Sequence, residues 1–255
     1  NKIVNRLNFS LTNDQLNALE DINNDMRSKT KMFRLIQGDV GSGKTIVALI
    51  TALNAIESGY QVAFMAPTEI LAKQHFNLTK NLFPNNINIQ ILTGKSDYFT
   101  KKKVNELVST NICNIVFGTH SLFQKKINFK KLGYIIIDEQ HKFGVKQRKQ
   151  LSDKGGNDCD VLLMSATPIP RTLIMSVYGD MDISIIKEKP KHRKEIRTYS
   201  KLESKIDDVI KFVKYEIKNK NQVFWVCPWI DESKKIDHSS AIKKFEFLKN
   251  IFTKK

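Results

Sequence analysis

Gly38-Asp39-Val40-Gly41-Ser42-Gly43-Lys44-Thr45 places glycines, a lysine and a hydroxyl in the spacing G-x-x-x-x-G-K-S/T, a pattern that cradles nucleotide phosphates. Glycines let backbone N–H groups turn inward and approach phosphate oxygens without a Cβ in the way. A helix that follows points its positive end at the anion. Lys44 then reaches the β- and γ-phosphates and the Thr45 hydroxyl coordinates Mg²⁺. ATP and Mg²⁺ are thus the cofactors called for, with Gly38, Gly41, Ser42 and Gly43 as the cradle.

Ile135-Ile136-Ile137 is an apolar run ending in two carboxylates, Asp138 and Glu139. A buried strand delivers its last residues to the carboxyl edge of a sheet, where ligands bind in such folds. Asp138 can face the metal held by Thr45, and Glu139 can orient and deprotonate an attacking water. Two acids after a strand also occur as a solvated turn, a reading the phosphate-loop pattern upstream disfavours. Lys44, Asp138 and Glu139 are the catalytic candidates; Thr45 and Asp138 are the metal ligands.

These residues need a frame, and the chain supplies an alternation of short apolar runs with amphipathic stretches. Strand-like runs are Met32–Gln37, Gln61–Ala66, Asn88–Thr93, Asn114–Gly118, Tyr134–Ile137, Val161–Ser165 and Asp182–Ile186. Most are continuously apolar, as expected for parallel strands covered on both faces. Helical patterns separate several of them, including Thr45–Ser58 and Ile70–Leu82. The spacing predicts an α/β fold, a P-loop NTPase domain with a mainly parallel sheet flanked by helices, over residues 1–190. After Lys189-Pro190 comes a basic linker. A helix-like stretch (Glu203–Lys218), a strand-like run (Gln222–Val226) and a helix-like tail (Ala241–Phe252) follow, so residues 191–255 read as the unfinished start of a second α/β domain.

Across its 255 residues the chain is 41% apolar, enough for a packed core, and no apolar run is long enough to span a membrane. The formal net charge of +16 favours a polyanionic partner, although a lysine-rich composition alone would produce it. Cys113, Cys159 and Cys227 show no metal-binding spacing and fit a reducing cytosol. His75, His192 and His238 are scattered and need no special role, and the Lys101–Lys103 and Lys125-Lys126 runs read as solvated surface before DNA track. The first residue is Asn, so the chain reads as an excerpt of something longer.

Asp138-Glu139-Gln140-His141 resembles motif II of the DExH group of superfamily-two helicases. Gln37 through Thr45, Ala66–Ala72, Gly118-Thr119-His120, Phe143–Arg148 and Ala166–Thr172, in that order, are together similar to the RecG family of bacterial helicases. The likeness runs from about Phe9 to the end of the chain. Transcription-repair coupling translocases share the Phe143-Gly144-Val145 and Ala166–Arg171 elements but differ in wording at Gln140, and a non-enzymatic P-loop remnant is the rival from another class.

The resemblance implies a RecA-like motor domain, ATP-driven remodelling of branched DNA gripped by its backbone, and a cytoplasmic, nucleoid-associated protein. No obligate protein partner can be inferred. It implies that Gln15 reads the adenine edge, while Thr12-x-x-Gln15 also scans as a helix capping box. Pro67, Thr68, Thr93, Gly94, Thr119 and His120 match strand-contacting motifs, against a competing reading as ordinary turn and cap residues. His141 would couple the γ-phosphate site to Ser165 and Thr167. Gln147 and Arg148 match an element that transmits motor motion, or else lie on a solvated basic helix face. Motors of this kind receive an arginine from a second domain, worth about 10³–10⁵ in rate. This chain ends before such a region, so it is expected to bind ATP and Mg²⁺ weakly, bind DNA without sequence preference and turn over little alone.

Overall fold

The computed structural model describes residues 3, 6–119, 122, 127–139, 159–167, 181–189, 196–227 and 241–252. The chain divides into two compact units, Asn1–Arg193 and Lys194–Lys255.

In the first unit, helix α1 (Asn13–Arg27) opens at Thr12 with a complete capping box. The Thr12 hydroxyl accepts from the Gln15 N–H at 3.3 Å, and Gln15 Oε1 accepts from the Thr12 N–H at 3.0 Å. There follow β1 (Phe33–Gly38), α2 (Lys44–Glu57), β2 (Gln61–Met65), α3 (Glu69–Leu82), β3 (Ile89–Leu92), α4 (Tyr98–Ser109), β4 (Ile115–Gly118), β5 (Leu132–Ile137), β6 (Asp160–Ser165) and β7 (Asp182–Ile186). Each strand expected in residues 1–190 is present to within two residues at either end.

The seven strands form one sheet in the order β3-β4-β2-β5-β6-β1-β7, and every pairing is parallel. Both faces of the central strands are covered, which is why most of those strands are apolar without alternation. Ile136, Phe64, Phe117, Val47 and Leu53 pack in one core layer, while Ile135, Ile137, Leu35, Met65 and Leu163 pack on the opposite face. Successive side chains of β5 thus serve two cores. Because all strands run the same way, the residues following β1, β2, β3, β4, β5 and β6 emerge at one edge.

Lys101–Lys103 lie on α4, with Lys102 and Lys103 exposed. Among the described residues, no helix is long and apolar enough to cross a membrane.

The second unit contains a 3₁₀ turn (Glu203–Lys205), α5 (Ile206–Lys218) and α6 (Ala241–Phe252). The strand expected at Gln222–Val226 does not form; residues 221–227 are irregular, with Phe224 and Val226 exposed. A strand must pair its N–H and C=O groups, and no neighbouring strand exists among the described residues of this unit.

Candidate nucleotide-binding site

The phosphate loop leaves β1 at Gly38 and enters α2 at Lys44. Two of its glycines are in the left-handed region, Gly41 at φ 79° and Gly43 at φ 90°, where a side chain is strained. Gly43 is also the cap of α2, and a Cβ there would overlap the Gln15 side-chain amide. A Cβ on Gly38 would come within 2.6 Å of Ser42 Oγ and 2.8 Å of the Ile186 carbonyl. A larger residue at Gly38 meets the Ile186 backbone, and one at Gly43 must displace the Gln15 amide while holding a strained φ.

Two polar groups in the loop suit an anion. Lys44 Nζ folds back onto carbonyls of its own loop, donating to Gly38 O at 2.5 Å and Asp39 O at 3.1 Å. Ser42 Oγ is buried without a hydrogen-bond partner among the described residues, a state a protein interior tolerates rarely. A phosphate would satisfy both.

The acids arrive from β5, two strands away across β6, a separation of about 10 Å at ordinary strand spacing. The Asp138 N–H donates to Met65 O at 2.8 Å, extending the β2 pairing one residue past β5 and fixing where its carboxylate leaves the sheet. Glu139 adopts φ 49°, an uncommon backbone state for a residue with a side chain. Burial pushes the Lys44 ammonium below the ordinary lysine pKa, and the carboxylates of Glu139, Asp138 and Asp39, in that order, pull against the shift. The Asp138 and Glu139 carboxylates therefore act on Lys44 at one edge of the sheet.

Between loop and acids lies the end of β6. Ser165 is fully buried and its hydroxyl stands 3.0 Å from Thr167 Oγ1. Gln37 Nε2 donates to Thr167 O at 3.3 Å, tying that turn to β1. Gln15 is buried, and its Nε2 donates to Ser42 O at 2.7 Å. The capping reading of Gln15 is thus seen directly, and the same amide braces the phosphate loop.

Thr68 caps α3, its hydroxyl accepting from the Leu71 N–H at 3.3 Å, and Pro67 precedes it. Thr93 is buried, its N–H donating to Ser96 Oγ at 3.0 Å; Gly94 is exposed beside it. The Thr119 carbonyl accepts from the Leu122 N–H at 3.1 Å. All three segments follow strands, β2, β3 and β4, that end at the edge that carries the phosphate loop. His120, His141, Gln147 and Arg148 lie outside the described residues.

One histidine corrects the sequence reading. His75, expected to need no role, is buried with Nε2 2.8 Å from Asp138 Oδ2. A signal existed. His75 shares the buried stripe of α3 with Ala72 and Thr79, and a buried polar ring requires a partner.

The DEAD/DEAH box helicase family model matches residues 12–175, which include every loop and acid residue above. The chain belongs to this family. It is 47% identical over 253 residues to the ATP-dependent DNA helicase RecG of Aquifex aeolicus, covering 98% of this chain and 32% of that one. It is 46% identical over 252 residues to the RecG of Bacillus subtilis, covering 98% and 37%. The chain thus spans about a third of the length of these curated relatives. Among solved structures, RecG bound to a three-way DNA junction matches with a TM-score of 0.79 at 38% identity, covering 97% of this chain and 32% of that one. The DEAD-box helicase Mss116 bound to single-stranded RNA shares the fold at a TM-score of 0.61 and 21% identity, over 86% of this chain and 50% of that one. Parallel seven-stranded order, phosphate loop and acid pair are the RecA-like frame of this family.

Proposed function

We propose that this chain is the nucleotide-binding motor part of a RecG-type, ATP-dependent DNA helicase acting on branched DNA. The observation that carries the reading is a phosphate loop leaving β1 and an acid pair leaving β5 at the same edge of one parallel sheet, in a chain 47% identical to a RecG.

In this reading the triphosphate lies over the loop with its charge on the backbone N–H groups, the start of α2 and Lys44. Lys44 exchanges its contacts to Gly38 O and Asp39 O for the β- and γ-phosphates. Thr45 and Asp138 would hold Mg²⁺, which neutralises developing phosphate charge when bound. Among the described residues no three His, Cys, Asp or Glu side chains gather to hold a metal. Mg²⁺ held by one hydroxyl, one carboxylate and substrate phosphates needs no such cage. Glu139 orients the attacking water and accepts its proton. Gln15 retains one amide hydrogen and one lone pair beyond its two bonds, the donor–acceptor pair an adenine edge needs.

DNA would be held by its backbone along Pro67, Thr68, Thr93, Gly94, Thr119 and His120, with His141, Ser165, Thr167, Gln147 and Arg148 relaying motion. The affinity would then be sequence-tolerant and fall steeply with salt. Residues 1–190 would form the first RecA-like domain and 191–255 the linker and start of a second. A DNA substrate would place the protein at the bacterial nucleoid.

The test is ATP hydrolysis by the complete gene product with branched and with linear DNA, beside its Lys44→Ala variant. Branched DNA is expected to stimulate more, and Lys44→Ala to lose contacts worth about 1.5–3 kcal/mol and most turnover. Undiminished hydrolysis by Lys44→Ala would overturn the reading.

A further inference from the structure

We infer that His75 is a positioning residue for the metal-facing carboxylate, fixing Asp138 so that one oxygen alone is presented to Mg²⁺. The inference rests on the proposed role of Asp138 but concerns a residue outside every motif discussed above.

The geometry is confined. Both side chains are about nine-tenths buried, and His75 Nε2 lies 2.8 Å from Asp138 Oδ2. A carboxylate oxygen only accepts, so the shared hydrogen sits on Nε2. The imidazole is itself held. Its ring centroid lies 4.9 Å from that of Phe64 on β2, tilted by 43°, and the His75 carbonyl accepts from the Thr79 hydroxyl at 2.7 Å on the same helix. Asp138 is gripped at both ends, by Met65 O at its backbone and by His75 at its carboxylate.

An aspartate free to rotate presents either oxygen, or both, to a metal. With Oδ2 engaged by His75, Oδ1 remains for the ion. Mg²⁺ demands near-octahedral geometry at short distances, so a carboxylate already in its final rotamer binds it with less loss of freedom. Groups that orient a metal's ligands typically change metal affinity or activity 10–100-fold when removed. His75 also belongs to α3, which Thr68 caps, so the helix capped by a candidate DNA contact is fastened to the candidate metal ligand.

The experiment is a Mg²⁺ titration of the binding of a fluorescent ATP analogue. It compares the unaltered chain with His75→Phe, which keeps a ring against Phe64 but has no donor, and His75→Gln, whose Nε2 lies the same number of bonds from the backbone. For His75→Phe the half-saturating Mg²⁺ concentration is expected to rise roughly 10–100-fold, with metal-free nucleotide binding unchanged. His75→Gln should restore most of that loss. Wild-type Mg²⁺ dependence in His75→Phe would overturn the inference, as would equal losses in both variants, which indicate packing and not donation. If the unaltered chain shows no Mg²⁺ dependence, the role assigned to Asp138 fails first and takes this inference with it. Imidazole ¹⁵N shifts of the unaltered protein test the same point without a substitution: a Nε2-protonated ring at His75 is expected, and a ring protonated on Nδ1 alone would overturn it.

Discussion

Gln15 Nε2 donates to the Ser42 carbonyl across 2.7 Å, so the side chain that caps α1 also holds the phosphate loop in place. The two elements are 27 residues apart in sequence and are joined by one buried amide. Gln15→Ala leaves Ser42 O and the Thr12 N–H without these partners and should cost about 1–3 kcal/mol of stability. If the amide also reads the base, ATP affinity should fall about tenfold relative to GTP, a difference of about 1.4 kcal/mol. We expect both effects, measured by thermal melting and by competition between the two nucleotides. A loss of stability with an unchanged nucleotide ratio would leave Gln15 as a brace only.

Arg34 on β1 is the buried cation behind the loop. Its Nε donates to Asp25 Oδ2 at 2.6 Å and its Nη1 to Ser184 Oγ at 2.9 Å, while Ser184 donates in turn to Asp21 Oδ2 at 2.7 Å. This network joins α1, β1 and β7. Arg34→Met removes the charge that Asp25 faces, and breaking such a pair costs about 3–5 kcal/mol. A unit of this size should melt roughly 6–20 °C lower. A shift of under a degree would show the network to be dispensable.

The start of α1 is tied to the end of the sheet by Asp14. Its Oδ2 accepts from the N–H groups of Lys187 at 2.8 Å and Glu188 at 2.9 Å. The bonds from Glu188 and then Lys187 hold the Asp14 carboxyl below its usual pKa. Between the lowered and ordinary values the unfolded chain binds more protons, so stability rises with pH there. The contribution is present above the ordinary carboxylate pKa and is lost as pH falls through the folded-state value. Asp14→Asn should therefore melt lower than the parent at pH 7, with the gap closing in acid. A gap that is constant with pH contradicts this.

Thiol chemistry separates the three cysteines. Burial pushes Cys113 and Cys159 each up to about 12, where almost no thiolate exists at neutral pH. Cys227 is half-buried. A disulfide reagent at pH 8 should titrate one thiol quickly, and the other two only after denaturation. Fast reaction of all three would show that the sheet opens readily.

Much of this protein was legible in its residues. The phosphate loop declares itself because its chemistry needs glycines, a lysine and a hydroxyl consecutively, so spacing alone carries the signal. The central strands of the first unit were visible because they are covered on both faces and are therefore mostly apolar, as Ile135–Ile137 illustrates. Asp138 and Glu139 were found because they end such a run. What sequence could not supply is what meets across the sheet. That β6 lies between β1 and β5 is a matter of strand order, and the carboxylates' pull on Lys44 follows only once the strands are ordered. His75 was passed over because its partner is 63 residues away, and a lone histidine on a helix announces no partner. The Gln222–Val226 run failed for the converse reason. Its local pattern favours a strand, but a strand exists only where another backbone offers it hydrogen bonds, a condition that tertiary structure alone decides.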